Sequence, residues 1–510
     1  MPRRVLISGV LALALLLEVT FPLTAASGLT GLAGLKTAYD ALLNAHFDGA
    51  AGALRTACGA APREACDVLE ATSLWWQILL DPRDTSRDAA FQGEVDEAVD
   101  LCERWVDREP GRAEAWFYLG GAYGARVSWR VERGQRLAAA RDGKRIKDAL
   151  ERALELEPTL EDARFGIGLY KYYADIAPTA AKILRVLLLL PGGDKVAGLR
   201  DMQASEARGQ LVAGEALYQL HWIYFWYERQ PQRGLDALER LSAQYPGNPH
   251  FLQRIGEVQV EHFHDAARSL AAWQRLTDTA AASGSPQLAE VRGRLGAAEQ
   301  LDALFETDRS VPEIRRVLAL APTRPVGAVA RAHLMLGRML DRLGQRDEAL
   351  AAYRAAAAAP VPEGDPDHVR PQSRAGLARA PERAAGDAYR LSLEGWRAFE
   401  RGDSSTAATQ LTQARTLAPA DAMIRVRLAR VIAHAQPERA LAEFDAVIAT
   451  RPQVTPAALT AAQVWSGELL ESRGAQAQAL DRYRAATRVF AGDSRLADVA
   501  RKALARLGGK

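Results

Sequence analysis

Apolar positions recur along this chain three and four residues apart, and the stripe changes phase wherever a Gly or Pro intervenes. In 331–358, RAHLMLGRMLDRLGQRDEALAAYRAAAA, two such stripes flank Gly344: Leu336 and Leu340 before it, then Ala349, Tyr353 and Ala356 after it. The spacing predicts two helices packed face to face. Gly337 and Ala349 are small where the helices would cross, and Leu336, Leu340 and Tyr353 fill the space beside the crossing. Gly344 falls in the turn, where a positive φ or tight packing excludes a side chain. One pair cannot cover its own apolar face, so it requires neighbours.

Similar stripes run through Ala50, Leu54 and Ala57, then Ala98, Cys102 and Trp105, and then Ile146, Leu150 and Ala153. They resume at Leu238, Leu270, Ile314, Leu411, Phe444 and Tyr483, giving roughly ten units. The residues between Tyr123 and Ile146 exceed what one pair needs, which predicts lengthened helices. Ala216–Tyr227, ALYQLHWIYFWY, is apolar on most faces and is expected at the centre of the core or lining a groove. Period-two alternation and hairpin dipeptides are scarce, so the expected class is all-α. Residues 359–387 carry five prolines and no helical period. They read as a linker or loop between an array at 28–358 and a second at 388–510, which ends in a capping helix.

Trp116, Leu119-Gly120 and Tyr123 reproduce W-x2-L-G-x2-Y, and the offsets around Gly337 and Gly467 match the same pattern. The chain thus resembles tetratricopeptide-repeat proteins over most of 37–507. That resemblance implies a right-handed superhelix of helix pairs whose concave face takes peptides or partner proteins. The stretches GLYKYYADIAP, LLLLPGGDKVAGL and YPGNPHF, within 116–251, also resemble bacterial exported repeat proteins related to the inclusion-body-clearance family. This second likeness implies no catalytic residue. It departs from the repeat at Lys171, where Tyr is expected.

Carrying the repeat's offsets across places Arg331, Arg338, Arg342, Tyr389, Trp396, Phe399, Arg425, Trp226 and Tyr227 on the partner-binding face. Arg and flat aromatics are the residue types that carry binding energy at interfaces. The three arginines of the first unit would clamp a carboxylate or an acidic peptide; the alternative is a solvated charged face with Asp341 as local partner. For the aromatics the alternative is ordinary core.

Composition sharpens this in three ways. The chain has 510 residues and a net charge of +2, so it presents no broad basic field and nucleic acid is not an expected partner. Arg3 and Arg4 precede the apolar run Val5–Leu17, with Thr24-Ala25-Ala26 after it. Residues 1–26 therefore read as an export signal, too short for the roughly 20 residues a spanning helix needs, with a retained anchor as the alternative. Export places the protein in the cell envelope, most simply the periplasm. Membrane association would then come only through an uncleaved signal or a partner. Three cysteines suit that compartment: Cys58 and Cys66 flank a turn and can form a disulfide, while the alternative leaves all three as free buried side chains.

Catalytic chemistry is thin. His262 and His264 stand beside Glu261 and Asp265, but i and i+2 on a helix do not share a face, so a metal is not expected. Gly120-Gly121 and Gly166-x-Gly168 lie inside helices, without the strand-turn-helix setting of a phosphate cradle. The octet Ile183–Leu190 could touch a membrane surface, yet is too short to cross one. The expectation is a non-enzymatic interaction scaffold without cofactor. A structural subunit of an envelope or outer-membrane assembly is the first alternative, and an enzyme with its site around His221–Glu228 the second.

Overall fold

The computed structural model describes residues 28–177, 192–380, 383–450 and 453–508. The export signal and the octet Ile183–Leu190 lie outside them. The described residues form twenty-four α-helices and no strand. In order these are α1 Leu32–Leu43, α2 Phe47–Ala57, α3 Arg63–Leu80, α4 Asp88–Arg108, α5 Ala113–Glu132, α6 Arg136–Leu156, α7 Arg164–Ile176 and α8 Lys195–Arg208. Then follow α9 Ala213–Trp226, α10 Pro231–Gln244, α11 Pro249–Glu261, α12 Ala266–Asp278, α13 Pro286–Ala303, α14 Thr307–Leu320, α15 Ala328–Arg342 and α16 Arg346–Ala358. The last eight are α17 Val369–Ala378, α18 Arg383–Glu400, α19 Ser404–Leu417, α20 Ala422–Ile432, α21 Pro437–Ala449, α22 Pro456–Ser472, α23 Gln476–Thr487 and α24 Ser494–Arg506.

Local signals account for the boundaries. Asp403, Asp421, Asp265 and Asp194 each accept a backbone N–H three residues on, capping α19, α20, α12 and α8. Proline opens α10, α11, α13, α21 and α22, where no N–H is needed. Gly344 and Gly474 turn the chain at φ 75° and 77°, a region costly for any side chain. The long insertion lies inside one pair, whose helices α5 and α6 reach 20 and 21 residues.

Pairing is sealed by missing side chains. A Cβ on Gly337 would stand 2.6 Å from the Tyr353 ring, one on Gly467 2.9 Å from Tyr483, and one on Gly395 2.9 Å from Leu411. Gly120 meets Leu150 in the same way at 2.5 Å. The unit that departs at Lys171 uses a closer approach: a Cβ on Gly168 would lie 2.7 Å from the Gly198 carbonyl oxygen, and Lys171 turns outward to Asp201 at 2.8 Å.

The winding brings distant parts of the chain together. The turn after α10 meets α1, where Tyr245 donates to Asp40 at 3.1 Å and Asn248 to the Leu43 carbonyl at 2.8 Å. Asp81, at the end of α3, accepts from Val326 N at 3.1 Å, and Arg83 binds Asp367 at 2.5 and 3.0 Å. The start of α24 reaches back as well, Ser494 to Asp265 at 2.7 Å and Arg495 to Glu306 at 2.9 Å. The final helix therefore belts the array in addition to covering its end. Cys58 and Cys66 are joined by a disulfide across the α2–α3 turn, and Cys102 is free and buried.

The segment 359–387, expected as a linker or loop, contains a helix. Helix α17 lies within it, and one apolar core runs from Val291 through Val369 to Leu393, across the supposed division. The reason is where the prolines stand. Pro360, Pro362 and Pro366 precede the helix, Pro371 occupies its first turn, and Asp365 accepts the N–H groups of Val369 and Arg370, both at 2.9 Å.

Candidate binding surface

Helix α9 carries the most exposed aromatic surface. Trp222, Trp226 and Tyr227 expose 39%, 36% and 43% of their area. Four residues apart on one helix face, Trp222 and Trp226 stack with centroids 4.0 Å apart. Arg254 of α11 lies over both rings, at 5.6 and 5.2 Å, and is held by Glu257. His262 abuts Trp226 edge-on at 5.0 Å and Phe225 at 4.6 Å. Tyr227 packs edgewise on Tyr173 of α7 at 5.7 Å. Beneath it, Tyr172 and Lys195 both donate to Glu228. Burial works to raise that carboxyl, but these two bonds outweigh it and hold Glu228 below the usual range.

The opposite face of α9 is polar and buried. His221 is fully enclosed, and burial drives its pKa down to about 3, so it is neutral at physiological pH. His250 is lowered by burial and then by Arg254 and Arg292, and it exchanges a 2.9 Å hydrogen bond with Tyr218. Glu215 accepts from Trp76 Nε1 at 3.1 Å and Tyr39 at 3.4 Å; burial raises its carboxyl to about 7 against those bonds. These groups tie α9 to α1, α3 and α11. The stretch His221–Glu228 borders neither of two open cavities, one of about 350 Å3 between α1 and α8–α10 and one of about 440 Å3 against α22–α24.

The other sequence-predicted residues scatter. The three arginines proposed to clamp an anion differ in their surroundings: Arg331 pairs with Glu299 at 2.8 Å, and Arg342 binds Asp302 at 2.8 Å while stacking over Tyr389 and Phe305 at 4.6 and 4.9 Å. Arg338 alone is exposed without an ion pair among the described residues, and Asp341 serves Arg346 instead. Tyr389 is buried and shares a 2.8 Å hydrogen bond with Thr307. Arg425 is held by Glu443 at 2.7 Å. Trp396 and Phe399 are half-buried; Trp396 stacks on Trp465 of α22 at 5.2 Å, bridging over α20, with Arg427 and Arg430 5.8 Å from the two rings. His262 and His264 do not converge on a metal site, since His264 faces Phe490 and Asp265 caps α12.

Trp222 and Arg254 were not singled out by the sequence. Trp222 was within reach, since it precedes Trp226 by one helical turn; Arg254 lies on another helix, and nothing local marks it.

Four helix pairs sealed by a glycine against a ring or a leucine, stacked in series, decide the architecture. The fold is a tetratricopeptide-repeat solenoid. Among the described residues eleven pairs can be counted, from α1–α2 to α22–α23 with α17 and α24 as extra helices, against the ten or so expected. Such solenoids generally serve as protein–protein interaction scaffolds. No family model and no curated protein matches the chain. Among solved structures it is similar to a tetratricopeptide repeat protein from Parabacteroides merdae, at 14% identity, 58% coverage of this chain and 99% of that one, TM-score 0.25. It is also similar to the P58(IPK) TPR domain, at 13% identity, 86% and 99% coverage, TM-score 0.22. Human IFIT1, solved as a dimer with PPP-AAAA, gives 13% identity, 90% and 94% coverage, TM-score 0.28. At such scores these likenesses add nothing to the assignment, which rests on the packing of the pairs.

Proposed function

We propose that this tetratricopeptide-repeat chain is a non-catalytic scaffold of the cell envelope that binds a protein partner across α7, α9 and α11. One observation carries the reading: Trp222 and Trp226 stack on each other, solvent-exposed, on a helix whose other face is locked into the core, and the exposed Tyr227 follows them. Rigid, exposed aromatics backed by a guanidinium are the residue type that anchors interfaces, and here their ordering entropy is already spent. Export is supported by the arginine-led apolar N-terminus and by the Cys58–Cys66 disulfide, which persists in oxidising compartments.

The test is crosslinking in the native envelope with the Trp222→Ala, Trp226→Ala double variant beside the native chain, read by mass spectrometry. The expected result is loss of the principal crosslinked protein with thermal unfolding unchanged to within a few degrees. An unchanged partner set with a folded variant would remove this surface from consideration.

A further inference from the structure

Four successive residues at the turn between α13 and α14, Phe305 to Asp308, are gripped by helices 82 or more positions further along the chain. Arg427 of α20 donates to the Phe305 carbonyl at 2.7 Å. Arg495, at the start of α24, donates to the Glu306 carboxylate at 2.9 Å. Thr307 shares its 2.8 Å hydrogen bond with Tyr389 of α18, and Arg397 of α18 forks onto Asp308 at 2.6 and 2.9 Å.

These contacts have the chemistry of peptide reading. A main-chain carbonyl, two carboxylates and a hydroxyl are each met by a different side chain, and the carboxylate bonds are charge-assisted. Helices α18 and α20 each open a pair, and the repeat offsets place Tyr389 on the partner-binding face. Arg427 is the most telling group. It is buried, forms no ion pair among the described residues, and directs its fork to the Ser392 hydroxyl at 3.1 Å and to that one carbonyl. Enclosing a guanidinium without a carboxylate is costly, yet a main-chain carbonyl is what any peptide ligand presents. Phe305 itself stands at φ 62°, a strained region for a residue with a side chain, so its surroundings hold the turn in shape.

We propose that the groove formed by α18, α20 and the start of α24 is a second protein-binding site, filled by the chain's own turn, and that the partner it fits is an acidic segment with carboxylates two residues apart. Phe305–Asp308 acts as a built-in competitor. A partner segment carrying the same groups takes its place, and the guanidinium forks exchange one set of carboxylates for another. This site shares no residue with the aromatic surface, so either can fail without the other.

The experiment titrates a fluorescein-labelled peptide of residues 303–310 against the full native chain and against the Glu306→Gln, Asp308→Asn variant, by anisotropy, with circular dichroism as the check on folding. The variant keeps the shape of the turn and removes the charges that Arg397 and Arg495 hold. A competitor that fills the groove roughly nine-tenths of the time weakens apparent affinity about tenfold, so the variant is expected to bind the peptide about tenfold more tightly than the native chain. Adding Arg495→Met to that variant should remove most of the gain. A peptide with Gln and Asn in place of Glu and Asp should bind neither protein. A folded variant that binds no better than the native chain, or equal binding of the uncharged peptide, overturns the proposal. Should the double variant not fold, Asp308→Asn alone, at a side chain 29% exposed, is read in the same way.

Discussion

Two regions of this solenoid use the same residue types in opposite ways. In the regular pairs from α18 to α23, Trp396 lies on Trp465, and the guanidiniums of Arg427 and Arg430 close over the rings. Arg427 itself is buried, donating to Ser392 at 3.1 Å and to the Phe305 carbonyl at 2.7 Å. In the central pairs, Trp222 and Trp226 stack on each other along a single helix, and though Arg254 of α11 lies over both rings, each keeps more than a third of its area exposed. Aromatic and Arg content alone therefore does not mark a binding face. What matters is whether a ring's partner sits on the same helix or on the next unit: the former leaves surface available, while the latter spends it on stacking repeats.

The largest effect expected tests the sealed pairs. Gly337→Val would drive two methyl groups into the Tyr353 ring, where even a Cβ stands 2.6 Å away. Overpacking at a helix crossing should cost about 3 kcal/mol, seen as a lower urea midpoint for the unfolding step that includes α15 and α16. A tolerated valine would mean the crossing can open, and the contrast between sealed and open regions would weaken.

Next come the tryptophans. Trp396→Ala removes a ring packed between units and should destabilise by about 2 kcal/mol, whereas Trp226→Ala, over a third exposed, should cost less than about 1 kcal/mol. Chemical denaturation of the two variants measures both. Equal losses would erase the distinction.

The helix pairs were legible in the sequence because their seals are local. Gly337 and Tyr353, Gly395 and Leu411, and Gly467 and Tyr483 each lie within one pair, at spacings fixed by helix geometry. Nothing comparable marks the winding, which joins residues far apart in the chain, as in the two bonds of Arg83 to Asp367, the one of Asn248 to Leu43 and the packing of Ala45 and Leu80 against Leu288. The arginine surroundings were hidden for the same reason. Arg331, Arg338 and Arg342 share a helix, but the acceptors of Arg331 and Arg342, Glu299 and Asp302, come from α13. Helix α17 was hidden differently, by counting prolines without asking whether each falls in a first turn. Trp226 and Tyr227 were placed by repeat offsets, while their exposure depended on what α11 brings beside them.

The central region should also respond to pH. Glu215 holds its proton up to about pH 7 in the folded chain, against about 4.3 for a free glutamate. Between those values the folded state binds a proton that the unfolded state has released, so this group's contribution to stability falls as pH rises. Glu215→Gln keeps the shape and removes the titration. The variant's stability relative to the native chain should therefore grow from pH 4.5 to 7.5 by as much as about 3 kcal/mol. His221 and His250, buried neutral, pull the other way as pH falls, but they are common to both proteins and cancel in the difference. A flat difference across that range would place Glu215 in contact with water.

The smallest effect is the most useful for separating the two regions. Arg338 is exposed, has no ion pair among the described residues, and stands near Asp341 on the same helix. Arg338→Glu adds a like-charge pair one turn apart, worth about 0.2–0.5 kcal/mol. Its stability should thus be nearly that of the native chain, whatever its role in binding. With folding held constant, the crosslinked partners report on the surface alone. If partners survive Arg338→Glu and disappear with Trp222→Ala, Trp226→Ala, recognition belongs to the open central helices. The reverse result would assign it to the regular pairs, where one unpaired guanidinium would then matter more than three exposed rings.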